Sequence, residues 1–170
     1  MLNHLTYLGI LLVLAFMVFQ DFRYRGITWY LFPLLAILLV FSARGDFSLF
    51  DAGLNLGFVI LLVLLLTCYF SLRNGRLLNI LAGFLGLGDI LLLVCIGVYL
   101  PVLVFVLFYA GSLLLILVGT GTYLKFRSAA GYTVPLAGLQ ALLLIPVIGI
   151  IWAGHIQLAR LNDQLLLLLI

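Results

Sequence analysis

Residues 53–70 read GLNLGFVILLVLLLTCYF, an apolar run without a single charged side chain. A helix that crosses a membrane needs about 20 such residues, with a range of roughly 17–25. A membrane β-barrel strand would be shorter and would alternate apolar with polar. This run does neither, so it reads as a membrane helix. Similar runs flank it on both sides. They extend from Leu5 to Phe19, from about Thr28 to Phe41, from about Leu77 to Leu100, from about Val102 to Leu124 and from about Thr133 to Ala153. Polar or turn-forming residues end them: Gln20-Asp21-Phe22-Arg23-Tyr24-Arg25, Ser42-Ala43-Arg44-Gly45-Asp46, Arg73-Asn74-Gly75-Arg76, Pro101 and Lys125-Phe126-Arg127. The tail from Gln157 to Ile170 is too short and too polar to span.

Composition agrees. Of 170 residues, 67% are hydrophobic and 8% are charged, against about 25% charged in an ordinary soluble domain. Such a chain cannot coat a soluble globule with polar groups. Disorder demands the opposite composition. The basic residues are dispersed and form no nucleic-acid-binding face. The expected fold is therefore all-α: one integral membrane domain over residues 1–170, a multi-pass bundle of about six transmembrane helices. Cys68 and Cys95 lie inside apolar runs without metal-ligand or disulfide spacing, and read as packing residues. The first run lacks a basic leader and a small-residue cleavage site, so it is expected to be a retained helix.

Positive charge orients the bundle. Arg23, Arg25, Arg73, Arg76, Lys125 and Arg127 fall in alternate loops, while only Arg44 and Arg160 fall on the other side. The positive-inside rule makes the first set cytoplasmic and puts both termini outside. Trp29, Tyr30, Tyr69, Tyr123 and Tyr132 then mark the inner interface, with Tyr99 and Trp152 at the outer one.

The chain has five acidic residues, all aspartates. Asp46, Asp51 and Asp163 belong to the outer side. Asp21, at the end of the first span, and Asp89, within the fourth, lie on the cytoplasmic side. A carboxylate at the membrane edge is costly unless it is paired or functional. Two carboxylates at similar depth can meet across a bundle and share a proton. The ionised one then activates water and the protonated one polarises a scissile carbonyl, which is aspartyl-protease chemistry and needs no metal or cofactor. Gly86 and Gly88 strip side chains from the backbone ahead of Asp89, so a substrate strand can approach. Blander roles stand beside this one. Asp89 can be the N-cap of a helix from Ile90 to Leu100, and Asp21 can be an interfacial partner of Arg23 or Arg25. His4 and His155 are distant in sequence, near the outer face, and suggest no ligand set. The basic residues can also hold lipid phosphate or orient a substrate. Pro135 is expected in the first turn of the sixth span or in a wall of the site.

Asp21-Phe22-Arg23-Tyr24-Arg25-Gly26-Ile27 resembles the first conserved block of the type IV prepilin peptidases. Gly86-Leu87-Gly88-Asp89 matches that family's Gly-x-Gly-Asp block, and Thr133-Val134-Pro135-Leu136-Ala137-Gly138 is similar to its third block. The resemblance covers most of the chain. It implies a GxGD aspartyl endopeptidase of the cytoplasmic membrane, with Asp21 and Asp89 as catalytic dyad and Gly86 and Gly88 as motif backbone. It also implies a prepilin-like protein substrate, cut after a short basic leader, and no cofactor. The long bacterial members carry an additional cytoplasmic domain with C-x-x-C pairs. This chain is similar to the short, peptidase-only form of the archaeal preflagellin and Flp/Tad pilus peptidases. It departs from the pattern at Leu91, where the family has Lys, and at Thr28-Trp29, where it has Pro-Asn. The competing expectations are a non-catalytic scaffold or degenerate member of a pilus or secretion system, and a small transporter with Asp21 and Asp89 as proton carriers.

Overall fold

The computed structural model of the protein describes residues 2–43, 48–75, 86–126, 134–154 and 167. Among these residues the structure is entirely helical, with six helices: α1 (Leu2–Tyr24), α2 (Leu31–Ala43), α3 (Leu49–Asn74), α4 (Leu87–Tyr99), α5 (Val102–Phe126) and α6 (Leu136–Trp152). Backbone amides in a lipid phase must be satisfied within the segment, and a leucine-rich helix does this along its length except at its ends. The stretches His4–Tyr24, Leu49–Asn74 and Val102–Thr122 are long and apolar enough to cross a membrane; α2, α4 and α6 are shorter apolar helices. At 13 residues each, α2 and α4 extend only about 20 Å. Large apolar side chains such as Leu61, Leu64, Leu65, Leu114 and Leu117 point outward, an arrangement suited to lipid rather than water.

The expected runs coincide with the helices to within a few residues, except the fourth. Residues 77–85 lie outside the described residues, and α4 begins at Leu87. Arg44, Asp46, Arg76, Arg127, Tyr132, Thr133, His155, Arg160 and Asp163 also lie outside them.

Helix α1 packs between α2 and α6, and α4 packs against α2, α3, α5 and α6. The core is a set of stripes at helical spacing. On α1 it comprises Ile10, Leu14 and Met17, on α4 Leu92 and Ile96, and on α6 Ala141, Leu144 and Ile148, all fully buried. Helices α1 and α6 run antiparallel. At one end Trp152 Nε1 donates to His4 Nδ1 at 2.9 Å and stacks on Tyr7. At the other end lies Asp21. The α4–α5 corner is held by Asn55 of α3, whose Nδ2 donates to the carbonyls of Gly97 and Leu100, each at 2.8 Å. The approach is close enough that a Cβ on Gly97 would lie 3.2 Å from the Asn55 Cβ.

Candidate active site

On α1, Asp21 continues the stripe Ile10, Leu14, Met17 at the same spacing. It therefore points into the bundle and is 8% exposed. A lone carboxylate there would be strongly destabilising. Its Oδ2 accepts a 2.6 Å hydrogen bond from the backbone N–H of Gly138, in the first turn of α6. That amide is one of the donors a helix leaves unpaired at its N-terminus, and it carries the positive end of the helix dipole. The contact requires glycine: a Cβ at position 138 would lie 2.8 Å from Asp21 Oδ2 and 2.9 Å from its Cβ.

Asp89 reaches the same place from α4. It is half-buried and occupies the third helical position, with Gly86 as the N-cap. The blander expectation of Asp89 as N-cap is thus displaced by three residues. Its Oδ2 reaches back to accept from the Gly86 N–H at 3.2 Å, and its own N–H donates to the Gly86 carbonyl at 3.0 Å. A Cβ on Gly86 would sit 3.0 Å from that carboxylate oxygen. The Asp89 carboxylate also feels the backbone amide of Ala137 and the charge of Asp21. The two aspartates thus converge on one feature, the N-terminus of α6, from the C-terminal end of α1 and the N-terminal end of α4.

Pro135 is buried and is the N-cap of α6, one residue before the first turn where it was expected. Its fixed φ sets the entry of the chain into the helix and so the aim of the Ala137 and Gly138 amides. Gly88 lies against α2, 3.6 Å from Phe32 Cζ measured from its virtual Cβ. Arg23 and Arg25 are exposed at the same end of the bundle. Arg25 closes α1 in the left-handed region, at φ 55°. The connection to α2 is strapped to α1 by Gln20, whose Oε1 accepts from Thr28 Oγ1 at 2.6 Å and from Thr28 N at 3.0 Å. Leu91 is exposed on the outer side of α4, away from the buried stripe.

Two further features adjoin the site. An apolar groove of about 260 Å³ runs between α5 and α6 and is lined by Phe22, Ile116, Gly119, Leu139 and Leu143. Phe22 and Leu139 are the chain neighbours of Asp21 and Gly138. Deeper in α6, Gln140 is fully buried, and neither its Oε1 nor its Nε2 has a hydrogen-bond partner among the described residues. Such a burial costs about 1–3 kcal/mol. The sequence signal was available: Gln140 is the polar residue in an apolar stripe that includes Ala137, Ala141, Leu144 and Ile148.

Chemically, the arrangement is a two-carboxylate set with backbone amide donors. Among the described residues no three His, Cys or Asp side chains gather into a metal-binding group. No protein-family model, no curated protein and no solved structure matches the chain.

Proposed function

We propose that the protein is an aspartyl endopeptidase of the cytoplasmic membrane, and that it removes the short basic leader of prepilin-like proteins at the cytoplasmic face. The observation that carries this reading is the meeting of Asp21 and Asp89, distant in sequence, at the amide-lined start of α6. The two carboxylates divide the work of base and acid between them. The ionised carboxylate takes a proton from water, whose oxygen attacks the scissile carbonyl carbon. The protonated one donates to the carbonyl oxygen. Collapse of the tetrahedral adduct breaks the C–N bond, and the departing nitrogen takes up a proton from the pair. The Gly138 amide holds the Asp21 carboxylate in place and the Gly86 amide holds that of Asp89. Arg23 and Arg25 stand on the rim, where a substrate or lipid phosphate can reach them.

In this reading all six helices lie in the membrane, with both termini outside and the aspartates at the inner face. The motif resemblance at Asp21, at Gly86 to Asp89 and at Pro135 to Gly138 supports the substrate class. Co-expression with prepilin-like proteins, read by mass spectrometry, tests it. Wild type should cleave after a glycine and Asp21→Asn and Asp89→Asn should not. A folded wild type that cleaves none of them would overturn the proposal and favour a scaffold. Proton-coupled flux in liposomes, lost with either Asn variant, would instead favour the transporter.

A further inference from the structure

Hydrolysis needs water held at a defined place, and the buried, otherwise apolar stripe of α6 carries one polar side chain among the described residues, Gln140. It is fully buried, and both polar atoms of its amide lack a partner among the described residues. Asn55, another fully buried amide, differs in its nitrogen: both N–H bonds of Asn55 are used, on the Gly97 and Leu100 carbonyls, and only its Oδ1 lacks a partner among the described residues. Among those residues nothing comparable holds Gln140.

Its position is informative. Gln140 lies three residues beyond Ala137, hence about one turn deeper on the same face of α6. Side chains on a helix lean toward its N-terminus. The Gln140 amide therefore leans toward the turn whose amides face Asp21 and Asp89. A primary amide offers two donors and an acceptor. A buried polar site with several free valences is one that retains water.

We propose that Gln140 holds water beneath the Asp21–Asp89 pair, and that this water supplies the hydrolytic step. Gln140 is a positioning residue: it touches the water, and the carboxylates do the chemistry. The catalytic half of the inference rests on the peptidase reading; the hydration half does not.

The test separates the two. Protein labelled with ¹⁵N-glutamine in lipid nanodiscs carries four side-chain amides, at Gln20, Gln140, Gln157 and Gln164. Gln140→Met, which keeps the shape and removes the hydrogen bonds, identifies the Gln140 signals by their loss. Direct magnetisation transfer from water to the Gln140 Nε2 protons, opposite in sign to proton exchange, is expected. Its absence would overturn the inference whatever the protein cleaves. With a prepilin-like substrate, Gln140→Met should lower kcat by about 10-fold or more while KM stays within about twofold, as loss of a positioning group does. Gln140→Asn, which keeps an amide, should recover part of the rate. The thermal midpoint of Gln140→Met should equal or exceed that of wild type, because an unpaired buried amide has been removed. Full kcat in Gln140→Met would make the water structural and overturn the catalytic half. Failure of wild type to cleave anything would instead overturn the peptidase reading, and the water contact alone would then decide the hydration site.

Discussion

Asn55 and Asp21 are both buried polar side chains that close the end of a neighbouring helix. Asn55 serves a C-terminus: its N–H groups bind the last carbonyls of α4, at Gly97 and Leu100. Asp21 serves an N-terminus: its carboxylate binds the first-turn amide of α6, at Gly138. The geometry of each matches donor to acceptor, so each can be read as a structural tie. The difference lies in the charge and in the company. Asn55 is neutral and lies among apolar groups and backbone. Asp21 is an acid with a second acid, Asp89, near it and half-buried. A structural tie does not need a like-charged neighbour, which only raises its cost. The proposed reaction needs the pair.

The largest effect should separate the two roles outright. Asp21→Asn retains an oxygen that can accept from the Gly138 N–H, so the tie survives while the acid is lost. Cleavage should fall by at least about 10³-fold, the scale of general acid–base catalysis, with the thermal midpoint within a few degrees of wild type. A collapse of the fold in Asp21→Asn would instead make Asp21 a tie like Asn55.

Next in size is Gly138→Ala. The added methyl would lie under 3 Å from the Asp21 side chain, and neither the α6 backbone nor the Asp21 Cβ can retreat cheaply. Overpacking of this kind costs about 1–3 kcal/mol, so stability and activity should fall together. Asn55→Leu gives the mirror image. Two carbonyls lose their donor, at a cost of about 1–2 kcal/mol in a membrane protein. Unfolding in detergent should register this loss, while kcat for a prepilin-like substrate stays at the wild-type level.

The comparison also explains what could be read from the sequence. Asp21 and Asp89 were legible because acids are rare in this chain and these two fall at the membrane edge. The long helices were legible for the same reason: an uninterrupted apolar run has one stable form in lipid. Gly138 was not legible as the anchor of Asp21, because its contribution is a backbone N–H that every residue except proline has. Its identity matters only through the space a Cβ would take. The start of α4 was also hidden, since Leu77 to Leu100 is apolar apart from Asn79 and Asp89 and the described helix starts only after Gly86. Gln140 and Asn55 are single polar residues in apolar runs, and only their full burial shows that each amide needs a partner.

The smallest effect probes the strap that carries Asp21 to α2. Thr28 gives Gln20 Oε1 two hydrogen bonds, one from its hydroxyl and one from its backbone N–H. Both are exposed, so each contributes well under about 1 kcal/mol. Thr28→Val removes the hydroxyl and keeps the β-branched shape, and a two- to threefold fall in kcat/KM, about 0.5 kcal/mol, is expected. Thr28→Pro removes the hydroxyl and the N–H together, and restores the proline that the resembling family has at this place. If the strap to Gln20 is what fixes the end of α1, Thr28→Pro should be the slower enzyme of the two. If the segment needs only a rigid backbone after Ile27, the fixed φ of proline should make it equal to or faster than Thr28→Val. The order of the two variants decides whether this chain holds Asp21 in place by a hydrogen bond where its look-alikes use a ring.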